Sequence, residues 1–350
     1  MKKILSMFAS IALCSVALNA AGTASGTTVS NSASLSYSVG GATQPTVNTQ
    51  AAATFVVDKK IDFSVVHADG VKHLVTTPGA SKVQRSFTLE NTTNSIQDFT
   101  LLATNLDAKI YDSKTDNAEV SNLEISIDGG TTWTAGSVTV DDLAVDGSQA
   151  ILVRADVPNT NVDGNVMNIQ LEATAVQNGT ATAEVVTGGA GGIDRKDEID
   201  VVLAEGAGVT DFDNAQFDGK YAAWAGYIIN APTLTLAKSS CVYKDLVSGV
   251  SANAKRIPGS TITYLLDIEN GGSIDASDIN ITDTLPLELD MDTVTAVNTF
   301  DNQASCSCIG GTAGGGTAAT FSKNGQELTI SSLTALTKKH NCVTFQIDIQ

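Results

Sequence analysis

The chain has 350 residues, with 20 Lys+Arg against 38 Asp+Glu and a formal net charge of −18. Acidity spread along the chain favours solubility and self-repulsion, and it excludes a nucleic-acid binder, which needs clustered Lys and Arg. At 42% hydrophobic residues the chain is long enough for two or three β domains with sizeable cores.

Residues 1–20 read as a secretory signal. Lys2 and Lys3 precede an apolar stretch from Ile4 to Leu18, and Leu18-Asn19-Ala20 supplies small residues for cleavage. The stretch is shorter than the roughly 20 apolar residues of a permanent anchor, and no later segment is suited to span a bilayer. Cys14 does not make a lipoprotein signal, because Leu13 is bulky where that signal wants Gly or Ala. Export is therefore expected, and losing Lys2 and Lys3 takes the formal charge to −20.

Thr, Val, Ile, Asn, Asp and Gly dominate the chain after the signal, the composition of short strands joined by turns, so the expected class is all-β. Residues 21–57 form a strand pair, TTVSNSASLSYSV and TQAAATFVV, reversed at Gly40-Gly41. Two strands alone are marginal in water, so this hairpin is expected to dock on the next domain or on another molecule.

A first sandwich is expected over residues 58–230. Its strand candidates are IDFSVV, KVQRSFTLEN, DFTLLATNL, NLEISIDGG, SVTVDD, QAILVRADVP and VMNIQLEATAV. Asp128-Gly129-Gly130, Asp146-Gly147 and Asp163-Gly164 mark turns, and Gly188–Gly192 marks a flexible loop or boundary. IDVVLAEG and YAAWAGYII read as one more strand pair. A second sandwich is expected over 231–350. In it Ile262, Tyr264, Leu266 and Ile268 share one face of a strand, and Thr263, Leu265, Asp267 and Glu269 the other. CVTFQIDIQ supplies its last strand.

The segments SNSASLSYSVGG, PNTNVDGNVMNIQLEATA and PTLTLAK, and above all IPGSTITYLLDIENGG with the adjoining ITDTLP, carry a resemblance. They resemble bacterial exported proteins with the conserved-repeat domain, an Ig-like β-sandwich of unknown function (domain of unknown function number eleven). The likeness covers most of the chain after the signal, most fully residues 231–290. It implies tandem Ig-like β-sandwiches, preceded here by a signal peptide and an N-terminal strand hairpin, and a surface role rather than catalysis. The Cys-Ser-Cys and the added glycines of this chain depart from the family pattern.

Four cysteines remain after the signal, Cys241, Cys306, Cys308 and Cys342, all in the second sandwich. An even number confined to one domain of an exported protein reads as a disulfide set. Cys306 and Cys308 are too close to bond each other, so each is expected to bond Cys241 or Cys342. A zinc site from Cys306, Cys308, Cys342 and His340 is the alternative, without the usual finger spacing.

The acidic segment DFDNAQFDG gathers Asp211, Asp213, Asn214 and Asp218, oxygen ligands suited to calcium, although a solvated acidic turn has the same composition. The expectation is no cofactor, with calcium left open. SIDGGTTW, Ser126 to Trp133, has the Asp-box pattern of sialidase-like propellers, but a single copy reads as a structural hairpin turn. His67 and His73 flank Asp69-Gly70 and read as a hairpin pair rather than a metal site. Lys238 shares a strand face with Leu234 and Leu236, as an isopeptide-forming lysine would, but Asp348 points away from it. No Gly-x-Ser-x-Gly elbow or phosphate-cradling Lys-Ser/Thr loop occurs.

These residues point to a non-enzymatic exported protein of the periplasm, cell surface or extracellular space, with a structural or adhesive role. Its partners would be other envelope proteins or itself. Two alternatives stand beside it. One is a strand-exchanging polymer subunit using residues 27–57. The other is a calcium- or glycan-binding module using DFDNAQFDG or the loops near Gly310–Gly316.

Overall fold

The period-two alternation of Val, Ile, Thr and Phe with polar residues becomes strand almost throughout, and the chain is all-β. The computed structural model describes residues 22–106, 109–188, 193–208, 215–308 and 316–350. The signal at residues 1–20 and the glycines at 189–192 lie outside the described residues, as do those at 310–315.

An N-terminal ladder comprises β1 (Thr28–Asn31), β2 (Ser34–Leu35), β3 (Ser38–Val39), β4 (Ala42–Thr43), β5 (Val47–Asn48) and β6 (Ala53–Val56). Its pairs β1–β6, β2–β5 and β3–β4 are all antiparallel, so the ladder is one long hairpin. Gly40 and Gly41 make the reversal at φ 58° and 89°, a backbone that side chains with a Cβ resist. The expected docking is confined to the base: Ser25 N donates to Asn94 O and Val56 N to Lys196 O.

Next come β7 (Lys59–Ile61), β8 (Phe63–His67), β9 (His73–Thr76), β10 (Val83–Asn91), β11 (Gln97–Asn105), β12 (Ile110–Tyr111) and β13 (Lys114–Thr115). They are followed by β14 (Ser121–Ser126), β15 (Thr134–Ala135), β16 (Val138–Leu143), β17 (Ser148–Asp156), β18 (Val166–Val176), β19 (Val201–Leu203) and β20 (Lys220–Ile229). Two five-stranded sheets face each other, in the orders β15-β14-β17-β10-β8 and β16-β11-β18-β20-β9. Phe63, Phe87, Leu89, Phe99, Ile151 and Leu171 interlock between them.

The last strand pair expected of the first sandwich is wrong. IDVVLAEG and YAAWAGYII do not pair with each other: β19 lies parallel to β7, and β20 lies between β18 and β9. The physical reason is that β20 is apolar on both faces, with Ala222 to Tyr227 buried. Such a strand belongs inside a sheet, where it needs two neighbours. Its outer face is covered where Trp224 meets Tyr111 of β12 and His73 of β9.

The remaining strands are β21 (Leu234–Asp245), β22 (Gly249–Val250), β23 (Thr261–Asn270), β24 (Ala276–Thr284), β25 (Leu289–Asp290), β26 (Val297–Gln303), β27 (Thr317–Ala318), β28 (Thr320–Asn324), β29 (Glu327–Ala335) and β30 (Lys339–Ile349). One sheet runs β22-β21-β23-β30-β26-β27, and β24-β29-β28 packs over it. Ile262, Leu266 and Ile268 of β23 meet Leu328, Ile330, Val343 and Phe345 in a second core. The opposite face of β23 is not simply solvated: Thr263 and Leu265 are also buried.

The same corner closes both cores. Asn91, at the end of β10, donates from Nδ2 to Leu143 O and Ser95 O, while its Oδ1 accepts from Thr93 N. Asn270, at the end of β23, donates to Ala335 O and Ile274 O, and its Oδ1 accepts from Gly272 N and Thr233 N. Both amides are fully buried. Each satisfies carbonyls that the strand ends leave without a ladder partner.

Candidate functional site

The cysteine constellation is the most distinctive chemistry of the chain. Cys241 is bonded to Cys308, and Cys306 to Cys342, with Cα separations of 5.8 and 5.6 Å. Cys241 stands on β21 opposite Thr263, and Cys342 on β30 opposite Asp267. Those strands flank β23, so the Cys306-Ser307-Cys308 segment lies across the outer face of β23 and is bonded to both of its neighbours. Cys308 Sγ rests 3.5 Å from Thr263 O, which explains why Thr263 is buried on a nominally solvent face.

The zinc alternative does not form. Asp267, Cys306 and His340 do bring ligand atoms within reach of one another. The Cys306, Cys308 and Cys342 sulfurs are held in disulfides, however, and zinc needs thiolates. His340 Nδ1 instead meets Asp267 Oδ1 at 2.7 Å across the strands.

Of the calcium candidates, Asp211, Asp213 and Asn214 lie outside the described residues. Asp218 is exposed, and its Oδ1 accepts from Lys220 N at 3.0 Å. A separate acidic group, Asp58, Asp194 and Asp200, also clusters. Asp200 is taken up by Arg195 and Thr187, and Asp58 accepts from Asp200 N.

The SIDGGTTW segment is a self-contained turn. Asp128 accepts from Thr131 N at 3.0 Å, Thr132 N at 2.9 Å and the Ser126 hydroxyl at 2.8 Å. Its bonds to the Thr132 hydroxyl and amide bring the carboxyl pKa down to about 2. Trp133 Nε1 donates to Gly130 O, and the Arg154 guanidinium stacks over the indole at 4.1 Å.

Around His67 and His73 the structure builds a network centred on Arg85, a residue that no sequence motif singles out. Arg85 is 1% exposed and ion-pairs with Asp69 through Nε at 2.8 Å. Nη1 donates to Gly226 O, while Nη2 donates to Val71 O and Lys72 O. A guanidinium can only donate, so His67 Nε2, 2.6 Å from Nη2, accepts. Burial first, and then Arg85, lower the His67 pKa; burial also lowers that of His73. Asp69 stays below the usual carboxylate value: burial opposes this, but the Ser86 amide and Arg85 outweigh it. The hairpin pairing expected of His67 and His73 does not form: residues 68–72 carry the chain from β8 in one sheet to β9 in the other, and the network pins that crossover. A signal was present, since Arg85 shares strand parity with Phe87 and Leu89 and so faces the core.

Lys238 meets both Asp283 carboxylate oxygens at 2.6 Å and lies 4.4 Å over the Tyr264 ring. With its side chain 36% exposed, this is a surface ion pair worth at most about 1 kcal/mol. A hollow of 210 Å³ on the second sandwich is lined by Thr263, Asn298, Thr344 and Gln346 among others, without an ionisable group.

Comparison with protein-family models and with curated proteins finds no match. Solved structures do align with the chain. One is the C-terminal domain of the AgI/II polypeptide BspA from Streptococcus agalactiae, at 8% identity and TM-score 0.36 over 82% of this chain and 91% of that one. Another is a two-domain protein of unknown function from Bacteroides fragilis, at 12% and 0.24 over 83% and 89%. A third is the collagen-binding domain of the surface protein RspB from Erysipelothrix rhusiopathiae, at 13% and 0.20 over 83% and 81%. Similarity at this level transfers neither a residue role nor an activity.

Proposed function

We infer that the chain is a non-enzymatic exported scaffold, structural or adhesive, standing in the cell envelope or at the surface. Its organisation would be the hairpin of residues 21–57 followed by sandwiches over 58–230 and 231–350. The observation that carries this reading is the double disulfide across β23. Such bonds persist in oxidising compartments and are rare where glutathione keeps thiols reduced.

A second line of support is how the buried polar groups are used. Asn91, Asn270, Arg85 and Asp116 are all bonded to backbone, holding corners, crossovers and strand starts. Side chains so committed preserve shape, which is what a spacer or a presenter of loops requires.

The test is to fractionate cells carrying a tagged copy and to weigh the intact protein without reduction. A cleaved, exported chain with all four cysteines oxidised is expected. A cytoplasmic chain with free thiols would overturn the reading, as would hydrolase activity abolished by a single substitution.

A further inference from the structure

We propose that two copies of this chain pair through their N-terminal hairpins, edge to edge along β1 to β3, to form a four-stranded sheet. The pairing stands on its own observations and does not depend on the structural role inferred above.

Charge is the first of them. Residues 22–57 contain no Asp, Glu, Lys, Arg or His. Lys2 and Lys3 precede that segment, and every other charged residue of the chain comes after it. The body beyond the hairpin therefore has a formal charge of −20, the −18 of the whole chain without Lys2 and Lys3, and copies repel wherever their charged faces meet. The hairpin is the element through which they can touch without that penalty.

Exposure is the second. Leu35, Tyr37, Val39, Val47 and Phe55 are 59%, 45%, 63%, 52% and 49% exposed. Beyond the base, the hairpin's described hydrogen bonds are internal, such as Thr49 N to Ala33 O and Gln44 N to Tyr37 O. A two-stranded ribbon is short of the three or more strands needed for independent stability. A second identical ribbon supplies the missing strands.

The two edges of the hairpin differ, and this selects the docking edge. The pairing register slips between Asn31↔Ala53 and Ser34↔Asn48, and again between Leu35↔Val47 and Ser38↔Thr43. Each time the extra residues fall on the second limb, which also carries Pro45. Bulges and proline blunt an edge. The first limb, Thr28–Val39, has neither. The Ala33 and Tyr37 carbonyls point to the second limb, so alternation turns the Ser34, Ser36 and Ser38 N–H groups to the open edge. Two such edges related by a two-fold axis are self-complementary, and pairing them aligns Leu35, Tyr37 and Val39 of both copies.

The experiment is sedimentation velocity on the signal-free chain over a concentration series. The apparent mass should rise toward twice the monomer value, and added salt should strengthen association by screening the acidic bodies. Ser36→Pro removes an edge N–H, and Leu35→Asp/Tyr37→Asp places like charges across the two-fold. Each should raise the dissociation constant at least tenfold, or about 1.4 kcal/mol. The tryptophan emission should stay unchanged, since Trp133 packs on Gly130 and Arg154 and Trp224 on Tyr111 and His73, all outside the hairpin. A wild-type chain still monomeric at about 1 mM would overturn the proposal and leave the hairpin to a different partner. A dimer that survives both variants would overturn it in favour of another surface.

Discussion

Replacing Arg85 by Met tests whether the buried network holds the crossover between the two sheets. Met keeps the apolar stem but leaves the Asp69 charge without its cation, held only by the Ser86 N–H and His67, and withdraws donors from the Gly226, Val71 and Lys72 carbonyls. Removing one partner of a buried ion pair costs about 3–5 kcal/mol, and an orphaned buried acceptor costs about 1–3. Asp69 is partly exposed and can rehydrate, so the expected loss is about 3–4 kcal/mol rather than the full sum. Arg85→Lys retains one charge but cannot reach all the acceptors, and about half of that loss is expected. Adding Asp69→Asn to Arg85→Met should restore about 1–2 kcal/mol by removing the charge that has lost its cation. Urea unfolding followed by tryptophan emission reads this selectively, because Trp133 and Trp224 both lie on the first sandwich. A loss below about 1 kcal/mol would refute the reasoning, since water would then be serving the carbonyls as well as Arg85 does.

Other outcomes are open to measurement. Reducing the two disulfides should destabilise the second core by about 4 kcal/mol or more in the chain-entropy model, with tyrosine near-ultraviolet dichroism shifting while tryptophan emission stays put. Asn91→Ala and Asn270→Ala should each cost about 2–3 kcal/mol in denaturant titrations, because each strands buried carbonyls; unequal effects would break the equivalence of the two corners. Gly226→Ala should cost at least about 2 kcal/mol, since a Cβ there runs into Asn168 Oδ1 and lies 2.5 Å from the His73 ring. For pH, His67 and His73 have lowered folded pKa values, so below about 6.5 the unfolded chain binds protons the folded one refuses. Urea midpoints should be level above that pH and fall beneath it. Asp128, with its pKa at about 2, should contribute stability above the unfolded value near 4 and lose it only as pH drops toward 2.

The strands were legible because their alternation is local. VMNIQLEATAV coincides with β18, and the Ile262, Leu266, Ile268 stripe lies in the core as its spacing requires. Short elements whose partners are remote were not legible: β9 pairs in parallel with β20, and β19 with β7, from positions far apart in the chain. Local periodicity carries no information about such partners. The cysteines told that bonds would form, while the choice between Cys241 and Cys342 depends on how the loop crosses β23. Arg85 was readable in principle from its parity with Phe87 and Leu89, but a charge on a core-facing position runs against composition-based expectation. The asparagine corners were spelled in LEN and IEN, yet only their shared hydrogen-bond pattern reveals that the motif occurs twice.

The double disulfide also alters how the second sandwich would respond to pulling. A load applied between Leu234 and Ile349 passes from Cys241 to Cys308, through Ser307 to Cys306, and on to Cys342. Residues 242–305 and 309–341 hang outside that route. The tensioned path holds about 19 residues rather than about 116, roughly 65 Å of contour against roughly 390 Å. While oxidised, the module is a nearly inextensible link, and reduction turns it into a long tether.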